Sequence, residues 1–128
     1  MKRFNIKAYA KAFEEFKELE IISAGAYPKG HSIKRIVTIA DTKSSRFSGD
    51  SIELSLTIYD ETIKADIRLK KLSKEQEEYL SDKVDFVSEG GFNDDMRKTY
   101  HLKERFREHE EALSALKEFC KLYYKDAI

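Results

Sequence analysis

Between Lys29 and Phe47 the chain carries five cations, Lys29, Lys34, Arg35, Lys43 and Arg46, against one anion, Asp41. His31 lies among them, and Tyr27 and Phe47 flank the run. Ammonium and guanidinium groups attract phosphates, and aromatic rings stack on bases. Lys29, His31, Lys34, Arg35, Lys43 and Arg46 are therefore a candidate anion or nucleic-acid rim. A strand between two solvated basic loops accounts for the same residues.

The opposite charge gathers further on. Residues 75–95 hold eight carboxylates and a single cation, Lys83. Glu75, Glu77, Glu78, Asp82 and Asp85 form a candidate acidic face, suited to the basic groove of a protein that handles nucleic acid. A solvated helix face is the plainer account. Residues 1–72 carry 14 cations and 10 anions, and residues 73–128 carry 10 and 14, so the zero net charge hides a dipole.

Nucleophilic and metal chemistry find less support. A thiol–imidazole pair needs hydrogen-bond reach, about 3 Å. His109 and Cys120 are eleven positions apart, about 16 Å on a straight helix, so Cys120 reads as a small apolar core residue. His101 and Glu104 have helical ligand spacing, but as an isolated pair they define no metal site. The acids around Gly90–Gly91 lack the spacing of a calcium loop. There is no phosphate-binding glycine loop. No cofactor is expected, and no catalytic residue can be named from the sequence.

These residues must be positioned by a chain of 128 residues, enough for one domain. It is 41% hydrophobic and 38% charged, the latter well above the usual ~25%. One cysteine permits no internal disulfide, and no run approaches the ~20 apolar residues that span a bilayer. A cytoplasmic setting, without membrane contact, is the expectation.

Periodicity supplies the elements. Ile6, Tyr9, Phe13 and Phe16 step as one helix face over 4–20. Ile21–Ile22 and residues 33–40 read as strands. Ile52, Leu54, Leu56 and Ile58, then Ile63, Ala65, Ile67 and Leu69, alternate with polar residues across a short Asp60–Glu61 turn, which predicts an antiparallel hairpin. Ser73 with Gln76 forms a capping box opening a helix that carries Tyr79, Leu80, Val84 and Val87 to a stop at Gly90–Gly91. Leu102, Phe106, His109, Leu113, Leu116, Cys120 and Tyr123 step by four and three, a heptad seam on a helix from Asp94 to Lys125, with His109 as its polar register residue.

The fold expected is α+β, in the order α–ββββ–α–α: an antiparallel sheet, helices packed on one face and a long C-terminal helix. Residues 1–92 would form the core, and 93–128 a helix offering its seam to a second copy or folding back within one chain. The order with a basic loop resembles double-stranded-RNA-binding domains. The following helix, however, opens SKEQEEYL, acidic where that family is basic, and the chain is not assigned to it. The function expected is a non-catalytic module that binds another protein or its own copy, with anti-CRISPR-like inhibition of a nucleic-acid-handling protein as the class-level reading. The alternatives are nucleic-acid binding through the Lys29–Arg46 rim, and an enzyme with an unrecognised site.

Overall fold

The alternating segments dictate the centre of the structure. In the computed structural model, which describes residues 2–43, 51–89 and 96–126, β3 (Glu53–Tyr59) and β4 (Ile63–Leu69) pair antiparallel, with Leu54 opposite Ile67, Leu56 opposite Ala65 and Ile58 opposite Ile63. Side chains alternate across a strand, so these six point to one face, and all are buried. On the far side of β3 lies β2 (Ile33–Asp41), then β1 (Leu19–Ser23). On the far side of β4 lies β6 (Lys98–Phe106), and outermost is β5 (Val84–Ser88). The sheet order is β1-β2-β3-β4-β6-β5, every neighbour antiparallel.

Among the described residues three helices complete an α+β fold: α1 (Ile6–Ala12), α2 (Lys74–Leu80) and α3 (His109–Asp126). Tyr9 of α1, Leu80 of α2 and Leu113, Leu116, Phe119 and Cys120 of α3 share one core with Val37, Ile39, Leu54, Leu56, Ile67 and Leu102 of the sheet. The helices thus cover one face of the sheet. Full burial of a Leu or Ile side chain is worth about 1.5–3 kcal/mol, and Leu54, Leu56, Ile63 and Leu116 are wholly enclosed. Ser73 caps α2 as its spacing predicts: its Oγ accepts from the Gln76 N–H, and the Gln76 side chain accepts from the Ser73 N–H.

Three expected helices are shorter than their periodicity. The helix read over 4–20 is corrected to Ile6–Ala12: Phe13 caps it, Phe16 lies in the turns that follow, and Leu19 and Glu20 already belong to β1, paired with Asp41 and Ala40. The helix that Ser73 opens ends at Leu80, and after a turn in which the Lys83 N–H donates to the Leu80 carbonyl, residues 84–88 form strand β5. The continuous helix from Asp94 to Lys125 is corrected likewise: residues 98–106 are strand β6, and the last helix begins at His109. Thr99–Tyr100 favour a strand, and an 18-residue α3, about 27 Å long, spans the sheet without projecting. The sheet has six strands rather than four. The heptad seam is therefore divided. Leu102 and Phe106 lie on β6 and the rest on α3, and all but the half-buried Tyr123 are buried within this one chain. Gly90–Gly91, Asn93, Asp94 and Asp95, read above as a stop and a cap, lie outside the described residues.

Candidate functional site on the open face of the sheet

With α1, α2 and α3 on one side, the other face of the sheet is, among the described residues, made of strand side chains. Antiparallel register places them in rows. One row crosses all six strands: Ser23, Thr38, Ser55, Asp66, His101 and Phe86, each directly opposite the next. The adjoining row is Glu20, Ala40, Glu53, Arg68, Thr99 and Ser88. A face that had to pack against a helix would be apolar; this one is polar at nearly every position.

Where the two rows meet β5, a chain of hydrogen bonds forms. Ser88 Oγ lies 2.7 Å from His101 Nε2, and His101 Nδ1 lies 2.8 Å from Asp66 Oδ1. A carboxylate only accepts, so Nδ1 carries the proton of a neutral ring, leaving Nε2 to accept from the Ser88 hydroxyl. Asp66 is only 8% exposed, held also by Lys64, whose Nζ is 3.7 Å from the same oxygen. Lys64 Nζ also lies 3.2 Å from Nδ1, but a protonated Nδ1 cannot accept from it, and the ammonium is directed to the carboxylate. The Phe86 ring stacks on the imidazole, centroids 4.1 Å apart and 16° from parallel. Both irregularities in the pairing of β6 fall beside His101: one between Lys64 and Asp66 on β4, the other between Val84 and Phe86 on β5. Bulges re-aim side chains, and here they adjoin the residue at the centre of the chain.

The basic rim is not one surface. Lys29 and His31 are exposed at one end of β2, where His31 stacks on Tyr27 and its Nδ1 accepts from the Ile33 N–H. Lys34 pairs with Asp60 at 3.3 Å. Arg35 turns to the helix-covered side: its guanidinium donates to the Ala24 carbonyl and lies over the Phe4 ring. Lys43, beyond the other end of β2, donates to the Lys17 carbonyl at 2.8 Å. Nine residues of strand, about 30 Å at ~3.3 Å each, separate the two ends. Arg46 and Phe47 lie outside the described residues.

The acidic residues lie on consecutive elements, and two of them are paired: Glu75 with Lys125 at 4.0 Å and Asp82 with Lys83 at 3.2 Å. Glu75, Glu77, Glu78, Asp82 and Asp85 are all exposed, on α2, in the turn after it and on β5. Burial raises the Tyr100 hydroxyl pKa, and the carboxylates of Glu77 and Glu89 raise it further, so α2 and the end of β5 bring negative charge to one place. Tyr100 stands opposite Val87. Asp82, hydrogen-bonded to Lys83, is held below the usual carboxylate range. Beside this surface is a cavity of about 260 Å³ lined by Leu80, Leu102, Phe106 and Phe119, with Asp82, Lys83, Lys103 and Glu104 at its rim. Two charges of each sign at the rim select neither anion nor cation.

Cys120 is fully buried, its thiol pushed up to about 12 by burial and then by Glu15. A buried protonated thiol is a poor nucleophile. Among the described residues no cluster of three or more metal-ligating side chains occurs, and no helix is long and apolar enough to cross a membrane. The Ser88–His101–Asp66 chain went unseen in the sequence because it depends on strand register; the alternation of Phe86 and Ser88 was the one available signal. Comparison with family models, with curated proteins and with solved structures yields no match.

Proposed function

We propose that the protein is a binding module that takes up a basic, extended segment of another protein along β5. The observation that carries this reading is the character of that edge. Among the described residues β5 is the outermost strand, with no neighbouring strand on its outer side. It exposes Phe86 at 50% and Val87 at 44%. An edge of this kind accepts an added strand, whose main chain supplies affinity while its side chains supply selectivity. The exposed carboxylates of Glu77, Asp85 and Glu89 set the sign of the partner, and complementary charge speeds encounter. Nucleic-acid-handling proteins carry clustered Lys and Arg, and masking a basic segment of one along β5 is the inhibitory role this reading implies.

Selection from a displayed library of random peptides tests the reading. Selected sequences should be rich in Lys or Arg and in β-branched residues, and should shift the amide resonances of residues 84–88. The double variant Phe86→Lys, Val87→Lys should lose them. Charge reversal at Glu77, Asp85 and Glu89 should weaken binding at least tenfold at 50 mM salt and flatten its salt dependence. Peptides without basic bias, or shifts confined to another surface, would overturn the proposal. So would a mixture in which only a second copy of the chain, or only nucleic acid, is bound.

A further inference from the structure

We infer that Ser88 is an activated nucleophile, an acyl-acceptor site for small esters or thioesters with good leaving groups. The inference is independent of peptide docking at β5. It rests on a connection of three side chains from three strands: Ser88 Oγ to His101 Nε2 at 2.7 Å, and His101 Nδ1 to Asp66 Oδ1 at 2.8 Å. Hydroxyl, imidazole and carboxylate joined through opposite ring nitrogens form the arrangement by which a serine loses its proton while attacking a carbonyl. Here the Asp66 carboxylate fixes the proton on Nδ1, and the Phe86 ring fixes the plane. The lone pair of Nε2 is thereby directed at the one hydroxyl within reach.

The surroundings also set the substrate class. Lys64, 3.7 Å from the Asp66 oxygen, shares the carboxylate that orients the ring. The chain of bonds lies on an open sheet face rather than within the cavity beside α2. A site on an open face, with no enclosing pocket to hold and polarise the acyl group, suits activated acyl groups and not amides. In the step proposed, Ser88 Oγ bonds to the acyl carbon as its proton passes to His101 Nε2. The bond from that carbon to the leaving oxygen or sulfur breaks, and the imidazolium proton goes to the departing group. The product is an ester of Ser88 plus a free alcohol or thiol, with no change of oxidation state.

The full chain incubated with p-nitrophenyl acetate and, separately, with a fluorophosphonate reports on this directly, through peptide mapping by mass spectrometry. The expected result is one dominant adduct, on Ser88, absent in Ser88→Ala. Its rate of formation should fall about 100-fold or more in His101→Gln, the scale of general-base assistance, and by a smaller factor in Asp66→Asn. Circular dichroism verifies that each variant is folded. Wild-type protein without an adduct, or with its adduct elsewhere, overturns the inference even if the His101 variant does not fold. A Ser88 adduct forming equally fast in a folded His101→Gln also overturns it.

Discussion

The hydroxyl of Tyr9 donates to Nδ1 of His109 at 2.6 Å, joining positions one hundred residues apart in the chain. The direction follows from the other ring nitrogen: Nε2 faces the Lys2 carbonyl at 2.9 Å and must donate to it, so Nδ1 must accept. The bond fixes α1 to the first residue of α3, with both side chains buried. Tyr9→Phe preserves the ring and its edge-on contacts with Phe4 and His109 but leaves Nδ1 without its donor. A loss of about 1–3 kcal/mol is expected, read from urea denaturation. A change below about 0.5 kcal/mol would mean that packing alone holds the two helices.

Alkaline pH should unfold the protein through its tyrosines. Burial, and then Glu110, raises the Tyr9 pKa above the ordinary value of 10.0. Burial, followed by the hydrogen bond that Tyr124 donates to Asp41 at 2.9 Å and by the Asp41 charge, raises that of Tyr124. An acid whose pKa is higher in the folded chain keeps its proton longer there, while the unfolded chain releases its own near 10. Stability from these groups is therefore complete below pH ~10 and falls as pH rises beyond it. Tm should be level from neutral pH to about 9.5 and then decline. The double variant Tyr9→Phe, Tyr124→Phe should decline less steeply; an identical slope would exclude these two hydroxyls as the cause.

Truncating the centre of the sheet should be costly. Leu56 is fully enclosed between Val37 and Ala65. Leu56→Ala removes buried methyl groups and leaves a cavity, with an expected loss of about 2–5 kcal/mol. Chemical denaturation measures it, and a loss under 1 kcal/mol would mean that the site collapses freely.

Cys120 should be silent toward thiol reagents. Its thiol is enclosed and held protonated up to about 12. In native protein at pH 8, reaction with an aromatic disulfide should be far slower than that of a free thiol. Its dependence on urea should follow global unfolding. Fast reaction without denaturant would show that α3 opens locally.

Leu113→Asp distinguishes a closed seam from a paired one. Leu113 packs inside the chain's own core, and a buried unpaired carboxylate is strongly unfavourable. The variant should lose its cooperative thermal transition. Sedimentation that converted a dimer to a folded monomer would instead place the seam between chains.

The sequence disclosed what depends on one strand at a time. Ile52 through Leu69 alternate so regularly that only a half-buried hairpin satisfies them, and the faces follow. Val84 and Val87 are three apart, a spacing that fits a helix face; β5 wins because β6 stands ready to pair with it, a tertiary fact. Leu102, Phe106 and His109 step as a helix would, yet they run through a strand, a turn and the first residue of α3. The partnership of Asp66 with His101 was hidden for a stronger reason. It needs the register of β4 on β6, and that register is offset by an irregularity, which no local periodicity encodes. The basic rim failed differently: charges close in sequence were distributed to both ends and one face of a nine-residue strand.

The position of β6 between β4 and β5 has a kinetic consequence. β1 to β4 follow one another as neighbours, so each closes a short loop and can form early. The second neighbour of β4 is not the next strand but the one after it, and Ile63 meets its partner only when Phe106 arrives. As the chain is synthesised from its N-terminus, a four-stranded sheet can precede α3. Until then the outer edge of β4 is unpaired, and Ile63, Ala65, Ile67 and Leu69 have no α3 to cover them. Exposed apolar edges of that kind join other chains. The interval between completion of β4 and docking of the last strand and helix is thus the stage at which aggregation competes with folding, and expression at low temperature or with a chaperone should act on that interval.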